Sequence, residues 1–472
     1  MKRRLAAISL VLACAGCTVG PDYHPPSIAV DEQWLGAAGT GEVDASWWTR
    51  FNDPLLAELV ASAMAGNKDL AVADARLREA RANRDAVIGG SAPQASAIAS
   101  ARQSRLSENG QLPVGQVPGL GRDLSIFDAG FDASWELDLW GRSRRMAEGA
   151  AARADAAQEA RRGVVIQIVA EVVRSYIDLR AAQDLHANAI ADAAAQRELA
   201  RLVSDRLRAG AASRLDAVRA EAQARASAAT IPGFESDAAA AAFRLALLTG
   251  QPPEALHDRL RIPRPLPRTE VEAQAGMRSE LLRRRPDVRQ AERELAASSA
   301  DIGVATAELF PRVSLLGGLG LQARDPGELV SGDSLRFGFG PSLHWPIFSG
   351  GRIRARIRAS DARMEAALAR YERAVIAALA DSETAVNRYA SAVLSEAARE
   401  EAFAAASEAV DIAKRRYLTG EDDLAALLQA QRSLSAAERL SVRARAEKLQ
   451  QLAALYKALG GGWQAADASG SS

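Results

Sequence analysis

What the sequence lacks narrows its chemistry first. Only two cysteines occur in 472 residues, Cys14 and Cys17, so no disulfide framework can hold the body of the chain. The four histidines (His24, His186, His257, His344) are scattered and form no cluster with metal-ligand spacing. Aromatic residues are scarce, and the 59 basic residues are matched by 59 acidic ones, so there is no basic excess of the kind that nucleic acid requires. Past the N-terminus no run of ~18 apolar residues occurs, and no transmembrane helix is expected. If the chain crosses a membrane, it must do so with strands. No nucleophile–His–acid motif or phosphate loop is found; Gly338-Phe-Gly340 and Gly350-Gly351 fall in strand and turn contexts. Catalysis and a bound cofactor or metal are therefore not expected.

What is abundant is alanine, with Glu, Arg and Leu, a mixture that favours long, closely approaching helices. The N-terminus reads as an address. Lys2-Arg3-Arg4 is followed by an apolar stretch over 5–13, too short to span a bilayer and shaped like a secretory signal. Cys17 follows the small pair Ala15-Gly16 and reads as a lipid attachment point, with Cys14 as the weaker alternative acceptor. Residues 1–16 are then the lipoprotein signal, and 17–54 a lipid-anchored extended segment.

Two Gly-centred turns resemble each other: Arg206-Leu-Arg-Ala-Gly210 and Arg416-Tyr-Leu-Thr-Gly420. Two Gly-Arg pairs lie upstream, and the distance from Arg142 to Gly210 equals that from Arg352 to Gly420, 68 residues in both. So long an equal spacing marks a duplicated unit. The expected first repeat covers 55–250, with a helical hairpin, strands near 94–102 and 125–139, a long helix 142–209 and a return helix 215–229. A Pro-rich linker spans 251–269. The second repeat covers 270–461, with helices over 270–309, strands near 312–322 and 335–347, a long helix 352–418 and a return helix 424–459. A flexible tail, 462–472, ends the chain. The loop between strands is longer in the first copy (108–122) than in the second (325–333).

The strands carry the sharpest pattern. Phe127, Ala129, Phe131, Ala133 and Trp135 alternate with Asp128, Gly130, Asp132, Ser134, Glu136 and Asp138. In the second copy Phe337, Phe339, Pro341, Leu343 and Trp345 alternate with Arg336, Gly338, Gly340, Ser342 and His344. Side chains alternate faces along a strand, so each ribbon has one apolar and one hydrated side. Both runs exceed the ~9–11 residues that a tilted strand needs to cross a bilayer. Phe127, Phe131, Trp135, Phe337, Phe339 and Trp345 are expected to face lipid; Asp128, Asp132, Glu136, Asp138, Arg336 and His344 are expected to face a lumen. Pro341 lacks a ladder donor and should lie at an edge or bulge. A soluble sheet with one face on a core is the alternative reading of this pattern. Four strands cannot close a barrel, and open edges cannot face lipid. Two copies would give eight strands and a filled barrel; three would give twelve and a lumen.

Apolar residues recur at spacings of three and four along the long helices: Val165, Val169, Val172, Tyr176, Leu179 in the first, and Met364, Leu368, Tyr371, Val375, Leu379, Val386 in the second. Such seams suit coiled-coil packing. Gly210 and Gly420 end these helices, and two helical hairpins per chain result. A coiled-coil stalk or adhesin would use the same helices.

In this order the motifs resemble the TolC/OprM-type outer-membrane factors, specifically the NodT-like efflux lipoproteins. The likeness covers nearly the whole chain. It rests on Cys17-Thr-Val-Gly-Pro-Asp-Tyr23, Trp47-Trp48-Thr-Arg-Phe51-Asn-Asp53-Pro54, Trp135-Glu-Leu-Asp-Leu-Trp-Gly141-Arg142, Pro286-Asp287-Val288-Arg289-Gln-Ala-Glu292, Ile302-Gly303-Val304-Ala305 and Phe310-Pro311. The resemblance implies a mainly α chain with membrane β structure. It implies a homotrimer with a twelve-stranded barrel in the outer membrane, continued by a periplasmic α-helical barrel. It implies a covalent lipid on Cys17, and docking to a periplasmic adaptor coupled to an inner-membrane pump. The function implied is a passive exit duct for drugs or other toxic small molecules, with type I protein secretion or metal-ion efflux as the alternative cargo. At the resting tip of such channels polar contacts hold the helices closed. Here the candidates are Gly210, Asp216, Gly420, Asp422, Asp423, Gln429 and Arg432; Gln429 stands where relatives often carry Asp.

The anchor is tested by metabolic labelling with palmitate. Cys17→Ser should remove the label from the full-length protein, and persistent labelling would move the anchor to Cys14.

Overall fold

The computed structural model describes residues 18–28, 31, 33–36, 44–108, 121–267, 269 and 276–464. Cys14, Cys17 and the signal segment lie outside the described residues, as do most of the 108–122 loop and the tail beyond 464. The helices are α1 (Pro54–Gly66), α2 (Lys68–Gly90), α3 (Arg142–Arg208), α4 (Arg214–Ala228), α5 (Ile231–Leu248), α6 (Glu254–Leu260), α7 (Arg278–Arg284), α8 (Pro286–Ala307), α9 (Arg352–Thr419) and α10 (Leu424–Ala458). The strands are β1 (Gln94–Arg105), β2 (Asp123–Leu137), β3 (Arg312–Ala323) and β4 (Leu335–His344). At 1.5 Å per residue the 67 residues of α3 extend about 100 Å.

The chain divides into two compact units, and each long helix contributes to both. One unit comprises Met1–Pro26, Leu77–Ala157 and Ala291–Tyr371 and holds the sheet. Its four strands are antiparallel in the order β1-β2-β3-β4. The register keeps each ribbon's faces together: Phe131 lies opposite Ala97 and Leu319, while Asp132 lies opposite Ser96 and Gly318. Pro341 sits on the outer strand β4, paired in an unbroken ladder with Leu315.

The other unit, Ser27–Arg76, Gln158–Gln290 and Glu372–Ser472, holds the helical core. The first seam is that core: Val165, Val169, Val172, Tyr176 and Leu179 are all buried to within 1% of full burial. Side chains of this size each contribute about 1.5–3 kcal/mol when removed from water. Asp53 explains the Asn-Asp-Pro motif. Its carboxylate caps α1 by accepting from the amides of Leu55 and Leu56, Pro54 takes the first helical turn, and the Tyr176 hydroxyl donates to Asp53 from α3. Burial, then that bond, pushes the Tyr176 phenol up to about 12. Trp47, at 1% exposure, stacks on Tyr456 at 5.1 Å and meets Trp48 and Phe51 edge-on.

Four helices end alike. Gly210, Gly250, Gly420 and Gly460 all have positive φ. In each the amide after the glycine reaches back five residues, as in Ala211 N to Arg206 O (2.8 Å) and Glu421 N to Arg416 O (2.9 Å). These are Schellman closures, and the left-handed step favours glycine. The duplication is visible in the hydrogen bonds. Asn67, between α1 and α2, donates to Leu248 O at 2.8 Å; Arg285, between α7 and α8, donates to Ala458 O at 3.1 Å.

Several boundaries differ from the sequence reading. β2 ends at Leu137 and β4 at His344, short of 139 and 347. The return helix of the first repeat, α4, ends at Ala228, and a separate helix, α5, follows it with Pro232 tolerated in its first turn. The linker contains α6, and Pro286 divides the 270–309 segment into α7 and α8. The start of the expected flexible tail is fixed: the Trp463 indole donates to Arg284 O at 3.1 Å, and Arg162 lies over its ring at 4.2 Å.

Gly420→Ala should cost about 1–2 kcal/mol, the strain of a left-handed alanine in open space. Gly250→Ala should cost several times more, because its new methyl would also strike the Gly66 carbonyl. Thermal unfolding followed by helical circular dichroism checks this; equal shifts would contradict it.

Candidate functional site

The sheet's two faces differ in chemistry along most of its length, although Arg105 and Asp123 end the apolar face and Ile98, Ile126 and Leu316 interrupt the polar one. On one face lie Ala97, Ala99 and Ala101 of β1, Phe127, Phe131 and Trp135 of β2, Leu315 and Leu319 of β3, and Phe337, Phe339 and Leu343 of β4. This face is bare: Phe131 is 65% exposed, Phe337 72% and Phe339 88%. A contiguous exposed patch of this kind marks a surface made for lipid or another protein. The opposite face carries Ser96, Ser100, Asp128, Asp132, Glu136, Ser314, Gln322, Arg336 and His344, set among Gly130, Gly318, Gly320, Gly338 and Gly340. Arg336 forks onto Asp128, Nε at 2.9 Å and Nη2 at 2.6 Å, and Gln322 adds a bond at 2.8 Å. Glu136 lies 3.9 Å from Arg142. Asp132 is exposed opposite Gly318.

Asp138 corrects the sequence reading. It lies past the end of β2, and its carboxylate accepts from the amides of Ser143 and Arg144 at 2.9 Å each. Those are orphan donors in the first turn of α3, where a carboxylate also meets the favourable end of the helix dipole. Trp345 also falls just beyond its strand. The two girdle tryptophans are nevertheless held alike: Trp135 donates to Ser91 O and Trp345 to Leu309 O, both at 3.1 Å.

The N-terminal residues form a strap whose anchors were missed as functional residues, although the motifs contain several of them. Val19 N donates to Trp140 O at 3.1 Å, and Trp140 stacks on Phe310 at 4.8 Å while donating to Pro311 O. Arg145, its side chain 5% exposed, donates to Val19 O (3.3 Å), Asp22 (2.7 Å) and Glu148 (2.8 Å). Gly303 is needed where Gly20 and Arg145 cross it: a Cβ there would stand 2.7 Å from Arg145 Cγ. Tyr23 donates to Glu292 at 2.6 Å; burial, then that carboxylate, pushes its phenol above the usual range. The strap holds Thr18 against Gly141, at the junction of β2 and α3.

The two Gly turns share one small core of Leu199, Ala200, Val203, Ala220, Ala224, Tyr417, Leu424, Leu427 and Leu428, with Arg206 over the Tyr417 ring at 4.9 Å. The gate candidates have local duties. Asp216 completes a capping box with Ser213, Asp423 caps α10 through Ala426 N, and Asp422 pairs with Arg416 at 2.7 Å. That guanidinium holds the Asp422 carboxyl below its usual range. Gln429 and Arg432 are exposed.

A sheet with a bare apolar face, a hydrated opposite face and two open edges, carried on helices of this length, defines a channel protein whose membrane barrel is shared among copies. A family model described as outer membrane efflux protein matches residues 59–251 and 277–461, one match per repeat. The pyoverdine export outer membrane protein OpmQ of Pseudomonas aeruginosa is 32% identical over 98% of this chain and 97% of its own. Nodulation protein T of Rhizobium leguminosarum bv. viciae is 32% identical over 95% of this chain and 91% of its own. The solved outer-membrane channel OprN superposes with a TM-score of 0.88 at 39% identity, covering 95% of this chain and all of that one. The chain belongs to the outer membrane efflux protein family, and its fold is that of the trimeric TolC/OprM-type channels. It is an outer-membrane exit duct for efflux.

Arg145→Ala should release the strap. In limited proteolysis of the purified protein, cleavage within residues 18–26 should rise about tenfold, matching loss of roughly one charge-assisted hydrogen bond. Unchanged cleavage would show that the strap is held elsewhere.

Proposed function

We propose that this chain is the passive last segment of a three-component export line, held in the outer membrane by its barrel and by a lipid on Cys17. A periplasmic adaptor coupled to an inner-membrane pump delivers small toxic molecules to the helical end, and the pump supplies the energy. The protein performs no covalent chemistry and needs no resident cofactor. The observation that carries this reading is the bare apolar face backed by a hydrated one. Lipid covers the first, and the second lines a water-filled lumen. The glycines among Asp128, Asp132 and Arg336 keep that wall low, so bulky cargo meets backbone and water rather than side chains. Asp128, Asp132, Glu136 and Arg336 keep it wet. Thr18, the neighbour of Cys17, lies against Gly141 at the strand-to-helix junction, which supports an acyl chain on Cys17 meeting the membrane surface there.

The purified full-length protein, added to a planar bilayer, should give discrete ohmic conductance steps without nucleotide or substrate. A coiled-coil stalk or adhesin would give none, and that result would end the duct reading.

A further inference from the structure

The two strand-to-helix junctions hold equivalent places in the repeats and carry opposite chemistry. Arg142 opens α3 and Arg352 opens α9, so residues 136–148 correspond to residues 346–358. Gly141 and Gly351 are equivalent, and both have positive φ. Trp135 and Trp345 are equivalent, and both donate to a backbone carbonyl at 3.1 Å.

The first junction balances its charges. It sets Glu136, Asp138 and Glu148 against Arg142, Arg144 and Arg145. Asp138 lies 3.5 Å from Arg144, and Glu148 lies 2.8 Å from Arg145. At the second junction Pro346, Phe348 and Arg358 stand in place of those three acids. Four arginines remain there, Arg352, Arg354, Arg356 and Arg358. Arg356 reaches Glu308 at 2.8 Å. The other three are exposed and have no ion partner among the described residues. Arg354 and Arg358, four apart on one helix, repel each other, where Arg144 and Glu148 have opposite charge.

The same exchange bares the surface that the N-terminal strap covers in the first repeat. There Thr18 lies against Gly141, and Arg145 donates to Val19 O and Asp22. At the second junction Gly351 faces open space, and an exposed Ala355 stands in the place of Arg145. Arg352 and Arg358 each lie three residues from Ala355, so they flank it on the helix surface. Just before them, past the end of β4, Trp345, Ile347 and Phe348 are 54%, 86% and 91% exposed. Unpaired cations bordering a bare apolar cluster fit a ligand that joins an anion to an acyl chain.

We propose that Arg352 and Arg358, with Arg354 beside them, bind the phosphate of an anionic phospholipid in the periplasmic leaflet, its acyl chains lying along Phe348, Ile347 and the apolar face of the sheet. The proposal rests on the reading of that face as the lipid surface. Arg358 lies about 9 Å along α9 from Arg352, and helical side chains lean toward the N-terminus, here toward the membrane. The first junction takes the tethered acyl chain and the second takes a free lipid, one per copy.

The full-length protein, purified in neutral detergent as the intact oligomer, is given phosphatidylglycerol or phosphatidylcholine, and bound lipid is counted by native mass spectrometry. The wild type should retain phosphatidylglycerol and roughly tenfold less phosphatidylcholine. Arg352→Gln with Arg358→Gln should weaken phosphatidylglycerol retention about thirtyfold. Arg144→Gln, at the charge-balanced junction, should leave it unchanged. Arg358→Glu, which restores an acid at the position of Glu148, should also lose the lipid and serves if the double variant fails to assemble. Oligomer size and bilayer conductance are measured on every sample. Equal retention of both lipids by the wild type, or an equal loss on Arg144→Gln, would overturn the site. Release of phosphatidylglycerol by an equal concentration of inorganic phosphate would assign the cations to a free anion and overturn the lipid. A wild-type protein that conducts no ions would overturn the duct reading instead, whatever lipid it holds.

Discussion

Everything in this structure answers to one constraint: a backbone amide or carbonyl in hydrocarbon must have a partner, because no water is there to serve it. The strands of one chain satisfy each other at three seams and leave two edges unpaired. Those edges cost little in water and several kcal/mol per group in lipid. The chain is therefore complete in its fold and incomplete in its barrel. Its bare phenylalanines tell the same story from the side chains, since nothing in the described residues covers them.

Duplication solves the closure problem economically. A unit that contains one hairpin, one long helix and one return helix learns to pair with its own kind once, at the β2–β3 seam. Repeating that seam between chains closes the ring without any new interface. The same repetition explains why four helices end on glycines at matched positions and why two tryptophans brace equivalent carbonyls. Where the halves diverge, the difference has a use. Arg145 and Gly303 seat the N-terminal strap at the first strand-to-helix junction. The second junction, at Gly351, has open space.

The strands, their faces, the duplication and the long-helix seams were legible because period two and period near three and a half are strong, redundant signals. Val165, Val169, Val172, Tyr176 and Leu179 could be read straight onto the core. Other features were hidden for stated reasons. α5 lies beyond the expected return helix, and Pro232 occupies its first turn, where proline is tolerated. Asp138 continued the alternation by residue type, but an adjacent helix start captured its carboxylate. Trp345 and Ile347 have strand chemistry and lack a partner strand within one chain. The gate candidates were chosen from the resemblance and their place at or after the Gly turns, and three of them serve caps or a local ion pair. The strap's partners lie more than a hundred residues away in sequence, beyond any local pattern.

The central claim is that three incomplete sheets make one closed wall. Native mass measurement of the complex, released from membranes in mild detergent, counts the copies directly. The account predicts three chains per particle. A stable single chain, or a particle of two, would contradict it.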